Sequence, residues 1–431
     1  MTQAEIMFAV RANVLAVLVA VQSLVGAVEL CSTDGSSSGQ HAFSCSQGVI
    51  ENIDITHQAS NNFTTLSSTP GLFGWYDPKI CSGDYCVFAN RDIANGRGMS
   101  VISTTHNLQK IRRTQNRLYE QDINKSAQDP PPYEVKNLKG KGLRLVANRT
   151  IKRGEHLMAW SPVLLVRKTF FDDVPAEEQN HLLAAAFKLL PEKTQKQFQG
   201  QLFVANAGSS RALKDIVLRH SFETDLGWAA QGRDEYHYAS YPEVTVFHHD
   251  CRPNVAFYID GAHIHRTNVA RKIQPGEELT ITYINNPLQS RRERQKMVKK
   301  WTGSECSCSL CSAHKDVIKA SEDRLKEIRR LQAKLADHES TGVTKAMIDR
   351  YIKLYKEERL ETRLADAYEL VATNYNYLGF SKEAKKYAML SAQAGAIEGG
   401  REANNVIAMN ILAKDPEGHY SYRMKAKKGT L

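Results

Sequence analysis

An α+β core followed by an all-α C-terminal region is the fold class this sequence predicts, on three observations. Short β-prone runs recur between residues 133 and 285, without the regular strand–helix alternation of a doubly wound sheet. A block with helical spacing, residues 175–220, interrupts them. From Arg291 onward the pattern is almost wholly helical. The 431 residues suffice for two or three domains, and 42% hydrophobic with 24% charged is ordinary for a soluble globular chain. That composition excludes a collagen, a coiled-coil rod, a wholly disordered chain and a multi-span membrane protein.

The N-terminus comes first. Arg11 precedes an apolar run, Val14–Val21, and Val25 and Ala27 satisfy the small-residue rule for cleavage after Ala27. Residues 1–27 therefore read as a secretory signal peptide, with a signal anchor or a misassigned start as alternatives. The run is short for a bilayer, and no stable membrane span is expected elsewhere.

Residues 28–132 are rich in Ser, Thr, Asn and Gly and read as a loosely built β/loop prefix. Cys31, Cys45, Cys81 and Cys86 suggest two disulfides in a secreted segment, and their pairing is open. Free thiols are the alternative. Asn62-Phe63-Thr64 is a glycosylation acceptor if it enters the lumen. Asn95–Gly98 is a turn before a β-prone run, and Asp129-Pro130-Pro131-Pro132 is a stiff linker.

Residues 133–285 form the α+β unit. Leu143–Ala147 and Val163–Val166 read as strands around a turn at Ile151–Glu155. The helical block shows Leu182, Leu183, Ala186, Leu189 and Leu190 at helical spacing. Strand-like runs return at Val244–Phe247, Val255–Ile259, His263–Arg266 and Leu279–Tyr283. Residues 321–337 are highly charged and Leu-spaced. From Tyr368 to Ala388, large and small residues alternate at tetratricopeptide-like intervals, or as a generic helical hairpin. Such a module packs or binds a peptide partner. The net charge of +10 gathers partly in Arg291–Lys300 and in the tail. A solvated helix face explains the run without direct nucleic-acid binding; an acidic partner is the alternative.

The chemistry concentrates in three stretches. Phe247-His248-His249-Asp250-Cys251-Arg252-Pro253-Asn254 comes first, then Gly276-Glu277-Glu278-Leu279-Thr280-Ile281-Thr282-Tyr283, then Cys306-Ser307-Cys308-Ser309-Leu310-Cys311. C-x-C-x-x-C offers three thiolates in one loop, and zinc wants four soft ligands. Cys251 is the downstream cysteine left to close a site with Cys306, Cys308 and Cys311. Disulfides are the competing reading in a secreted protein.

Together these stretches resemble a SET domain, the lysine methyltransferase fold, with its asparagine–histidine–cysteine segment, its G-E-E-L…Y segment and its post-SET cysteines. Gly140-Lys141-Gly142-Leu143 and Ile151–Glu155 resemble the family's N-terminal half. The helical insert and helical C-terminal region resemble the SMYD branch without a MYND finger, and fungal SET proteins with a secretory-type start. The resemblance implies a SET domain at 133–285, a post-SET zinc segment at 286–314 and a TPR-like helical domain with a basic tail at 315–431. It implies methyl transfer from S-adenosylmethionine to a lysine of a protein substrate. An inactive partner-binding scaffold or a methyltransferase of small metabolites is the alternative.

By the same resemblance Tyr283 is the catalytic tyrosine, and zinc sits on Cys251, Cys306, Cys308 and Cys311. Cofactor contacts fall to Lys141, Gly142, Leu143, His220, His248, His249, Tyr283 and Trp301. His248 and His220 stand where the family has asparagine, and Asp250 where it has serine. Tyr236, Tyr238 and Tyr241 line a lysine channel or simply pack. Glu277 and Glu278 orient the turn before Tyr283 or face solvent. The signal directs the chain to the secretory route; a zinc–thiolate site and a cytosolic methyl donor point to nucleus or cytoplasm.

Overall fold

The computed structural model describes residues 29–32, 44–47, 74–76, 80–138, 142–199, 212–226, 236–340 and 342–425. The signal-like segment, Asn62 and Lys141 lie outside the described residues. So do the side chains of Cys31 and Cys45, although the backbone register of β1 (Glu29–Ser32) against β2 (Ser44–Gln47) sets these two positions opposite each other.

Alternation along the strands explains the central sheet. Its strands are β3 (Cys81–Ser82), β4 (Tyr85–Asn90), β5 (Met99–Ser103), β10 (Leu164–Arg167), β11 (Ser221–Asp225) and β12 (Tyr236–Ser240). Their order is β11-β12-β10-β5-β4-β3, with β10 parallel to β5. Successive side chains point to opposite faces. Phe88, Val101 and Leu165 enter one core, while Val87, Ile102, Leu164 and Val166 enter another. Both faces are therefore covered. The second core is closed by the helical insert: α3 (Phe170–Asp173), α4 (Ala176–Lys188), α5 (Glu192–Gln199) and α6 (Ala212–His220). Leu182, Leu183 and Ala186 supply its buried stripe.

The stretch read from sequence as a loose prefix contributes β4 and β5, two inner strands of this sheet. Its Ser- and Asn-rich average hides two runs that are buried on both faces. Cys81 and Cys86 form a disulfide across the β3–β4 hairpin. One-turn α1 (Ile93–Gly96) links β4 to β5, and α2 (Thr105–Thr114) follows them. At Gly98 φ is +76°, and an added Cβ would lie 2.2 Å from Pro191 Cδ, so glycine is required there. Arg97 beside it reaches both carboxylate oxygens of Glu243 at 2.7 Å, fixing this turn over the chain that leads to His248.

A four-stranded sheet, β14-β15-β9-β6, packs into the first core. It comprises β6 (Lys125–Ser126), β9 (His156–Trp160), β14 (Val255–Ile259) and β15 (His265–Val269). A hairpin of β7 (Tyr133–Leu138) and β8 (Gly142–Ala147) stands beside it. Three expected strands differ. Val244–Phe247 is no strand: Pro242 opens a 3-10 turn, Pro242–Val244, and Phe247 N–H bonds Val244 O at 3.2 Å. His263 takes φ +64° in a turn capped by Asp260, so β15 begins two residues later than the run suggests. Within Leu279–Tyr283 only β16 (Thr280–Ile281) pairs.

The C-terminal region is helical: α7 (Arg291–Thr302), α8 (Lys315–Ala336), α9 (Lys345–Glu357), α10 (Leu364–Tyr377), α11 (Ser381–Glu398) and α12 (Asn404–Lys414). It is bolted to the α+β unit. Arg252 sends its Nη2 to Glu358 Oε1 at 2.7 Å and its Nε to Glu358 O at 2.8 Å, and both side chains are 1% exposed. Arg324 and Ser321 of α8 also bond the Glu358 carboxylate. Removing one member of a buried pair leaves the other charge uncompensated. Glu358→Ala is therefore expected to lower unfolding free energy by about 3–5 kcal/mol. Glu192→Ala, which breaks an exposed pair with Lys196, should leave the unfolding midpoint almost unchanged. Urea denaturation of the two variants checks the contrast.

Candidate active site and metal centre

Two distant segments meet at β13 (His248–His249), which runs parallel to β16. Two residues of parallel pairing hold little by themselves. Asn254, 2% exposed, supplies the clamp: its Nδ2 donates to Glu278 O at 2.8 Å and its Oδ1 accepts from Thr280 N at 2.9 Å. Asp250 N–H donates to Ile281 O at 2.9 Å. The turn that the sequence marks as Pro253-Asn254 thus holds the threaded segment.

Tyr283 emerges from this pairing into the first core, 1% exposed. Its hydroxyl donates to Phe247 O at 2.7 Å. Burial pushes the phenol well above its usual 10. The group therefore stays neutral and keeps its proton on the carbonyl. Its oxygen offers lone pairs rather than acid–base chemistry.

Cys251, Cys306, Cys308 and Cys311 come together with their sulfurs all within 4.8 Å. Cys251 Sγ is 3.6 Å from Cys311 Sγ and 4.0 Å from Cys306 Sγ. A zinc tetrahedron with bonds of about 2.3 Å has edges of about 3.8 Å. Four sulfurs and no oxygen ligand suit zinc and not calcium or magnesium. The donor set fits zinc, and the alternative of disulfides among these cysteines is not what the structure shows, since all four thiols are free. Gln295 fastens the loop, accepting from Cys306 N at 2.6 Å and donating to Cys306 O at 2.9 Å. The packed thiols split in their titration: hydrogen bonding from Cys251 lowers the Cys308 thiol, while hydrogen bonding to Cys306 pushes the Cys251 thiol up. Arg294 of α7 is buried against it; desolvation would lower its guanidinium, but the Cys251 charge holds it up.

His249 joins the two centres. Its Nδ1 accepts from Tyr283 N at 3.0 Å, so its Nε2 bears the proton and faces Cys251 Sγ at 3.4 Å. Burial lowers its pKa to about 4, which keeps the ring neutral. A sulfur ligand thereby fixes the backbone of Tyr283 through one imidazole, an arrangement that commonly orients metal sites.

A polar cluster lies on the other side of Tyr283. Arg144 of β8 reaches Glu278 Oε1 at 3.0 Å and His248 Nε2 at 3.0 Å. His248 Nδ1 is 3.4 Å from Glu278 Oε1. Burial lowers the His248 pKa, opposed by its bond to Glu278. Leu279 N–H bonds Leu145 O and Ala147 N–H bonds Glu277 O, which lays β8 along the Glu277–Leu279 segment. Arg144 was not flagged by sequence, and Glu278 is more than a surface carboxylate. A contact between residues 144 and 278 has no local signal.

The remaining predicted residues are placed as follows. Gly142 opens β8 and Leu143 is half-buried beside Arg144. His220 is 3% exposed at the end of α6, and its Nδ1 is buried without a hydrogen-bond partner among the described residues. Trp301 packs at the edge of the second core, with Lys300 Nζ 4.7 Å from its ring centre. Tyr238 and Tyr241 are core residues, and the Tyr241 hydroxyl donates to His263 O at 2.7 Å. Glu277 caps the turn at Gln274 and pairs with Arg271.

Residues 140–284, about a third of the chain, match the family described as SET domain. Over 184 residues the chain is 29% identical to histone-lysine N-methyltransferase set5 of Schizosaccharomyces pombe, covering 40% of this chain and 55% of that protein. Over 100 residues it is 30% identical to histone-lysine N-methyltransferase SMYD3 of Homo sapiens, covering 22% of this chain and 23% of that protein. The chain thus spans about half of the first relative and about a quarter of the second. Among solved structures, Rubisco LSMT bound to AdoMet aligns with 74% of this chain and 96% of that one, at 9% identity and a TM-score of 0.26.

Proposed function

We propose that this protein transfers a methyl group from S-adenosylmethionine to the side-chain amine of a lysine in a protein substrate, histone or non-histone. One observation carries the reading: a buried Tyr283 whose hydroxyl is fixed on Phe247 O and whose backbone is tied through His249 to a four-cysteine centre. The family match and the two methyltransferase relatives agree with it.

The residues present suit the cofactor. His220 Nδ1 is a buried polar atom without a hydrogen-bond partner among the described residues, which leaves it open to a ligand. The backbone at Gly142, Leu143, His248 and His249 would hold it with His220, since the ring nitrogens of His248 and His249 already face protein partners. When bound, S-adenosylmethionine supplies a methyl on a sulfonium, which passes to the lysine nitrogen while the sulfur retains the C–S bonding pair. The protein's own task is alignment and charge control. A lysine ammonium, near 10.4 in water, must first lose its proton to solvent; burial beside another cation favours that loss. Tyr283 cannot act as the base, because its pKa lies well above 10. Its oxygen lone pairs are set to stabilise the positive charge shared by nitrogen, methyl and sulfur.

The helical region supports a finer reading as a TPR-like surface for a peptide partner, since α10, α11 and α12 stack as successive antiparallel hairpins. The SMYD-like branch, the secretory address and Asn62 glycosylation remain part of the same proposal. The histidines at 220 and 248 favour a second reading, a SET scaffold that no longer binds the methyl donor. Calorimetry with S-adenosylmethionine, followed by labelled methyl transfer to lysine peptides and histones, separates the two. Binding and lysine labelling are expected; absence of both would leave the scaffold.

A further inference from the structure

We propose that His248 is a positioning residue that keeps the polar cluster beside Tyr283 neutral overall, so that the site admits a positively charged methyl donor, and that its protonation turns the site against the sulfonium. The inference rests on the methyl-transfer reading above and goes beyond it to His248, which stands where the resembling family has asparagine.

The geometry assigns the tautomer. A guanidinium only donates hydrogen bonds. His248 Nε2, 3.0 Å from Arg144 Nη1, must therefore accept. The ring proton sits on Nδ1, facing Glu278 Oε1 at 3.4 Å. As built, the cluster holds one cation, one anion and one neutral ring. Protonating His248 would set N–H against N–H at Arg144 and add a full charge. The site would then be net positive where a sulfonium and a lysine must enter. The groups facing His248 are Arg144 on β8 and Glu278 before β16, and the same two charges act on Tyr283 after it. On its own strand His249 is neutral, with Nδ1 filled by Tyr283 N–H. Beyond it Asp250 accepts from Arg252 N–H at 2.8 Å, on the cysteine side. Burial lowers His248 from 6.5, so the neutral form prevails at pH 7 and above.

The test compares S-adenosylmethionine with S-adenosylhomocysteine, which lacks the sulfonium charge, by calorimetry at pH 8 and 5.5 on the full chain, with zinc content read at both. The expected result is an affinity ratio that shifts against S-adenosylmethionine at the lower pH, by less than the roughly tenfold that an unshifted imidazole near 6.5 would give at pH 5.5. In His248→Asn the shift should fall below about twofold, while any Asp250 titration persists. Nitrogen-15 NMR of histidine-labelled protein at pH 7.5 should show the Nδ1–H form at His248, a readout that does not depend on the variant folding. A ratio indifferent to pH, a shift retained in His248→Asn, or an Nε2–H ring would overturn the inference while leaving methyl transfer standing. Failure of both ligands to bind at either pH would overturn the methyl-transfer reading and this inference with it.

Discussion

Tyr283→Phe is expected to lower methyl-transfer turnover by about 10²- to 10³-fold, the usual cost of losing one preorganised polar group at a developing charge. Donor affinity and zinc content should stay near wild type. The lost atom is a single oxygen, and Phe247 O loses its donor in the same step. An unpaired buried carbonyl costs about 1–3 kcal/mol, so some fall in thermal stability should accompany the kinetic loss. Single-turnover kinetics with saturating donor separates the two effects. Undiminished turnover would remove Tyr283 from the reacting centre. A stability loss alone would not reproduce a kcat effect measured on the folded fraction.

Cys251→Ser should have the largest effect on stability. One bound zinc per chain should fall to none or a loosely held fraction, and the melting temperature should drop sharply. Zinc binding to small cysteine-rich peptides is worth about 10–16 kcal/mol, and a chain with its own cores should lose only part of that. The loss should not stay local. Serine puts a shorter, uncharged hydroxyl where the sulfur stood, so the His249 Nε2 proton loses its thiolate acceptor and the imidazole that holds Tyr283 N–H is less firmly fixed. Turnover should therefore fall together with metal content when a chelator is titrated in. Elemental analysis alongside initial rates checks this; activity that survives full zinc removal would uncouple the two centres.

Local patterns predicted much of this molecule. The strands at Leu143–Ala147, Val163–Val166 and Val255–Ile259, the turn before His156 and the Leu-spaced insert are each decided by residues within a dozen positions. The four-cysteine centre was legible for a different reason: metal ligands are few and their chemistry is specific. The prefix, residues 28–132, misled because its mean composition is polar, whereas burial is decided by two short runs, Tyr85–Asn90 and Met99–Ser103. Val244–Phe247 looked like a strand by composition, but Pro242 and the tight bond from Phe247 to Val244 impose a turn. The Arg144–His248–Glu278 cluster was invisible because each of its members is an ordinary polar residue until the fold brings them together.

The Arg252–Glu358 bolt has a consequence for where this chain can be cut. A shortened version that stops after the cysteine triplet would lose Glu358 together with the helices that cover Arg252, so the guanidinium and the turn next to Cys251 would stand open to water. A piece that keeps this turn covered extends at least through Glu358, well past the 284 at which the family match ends.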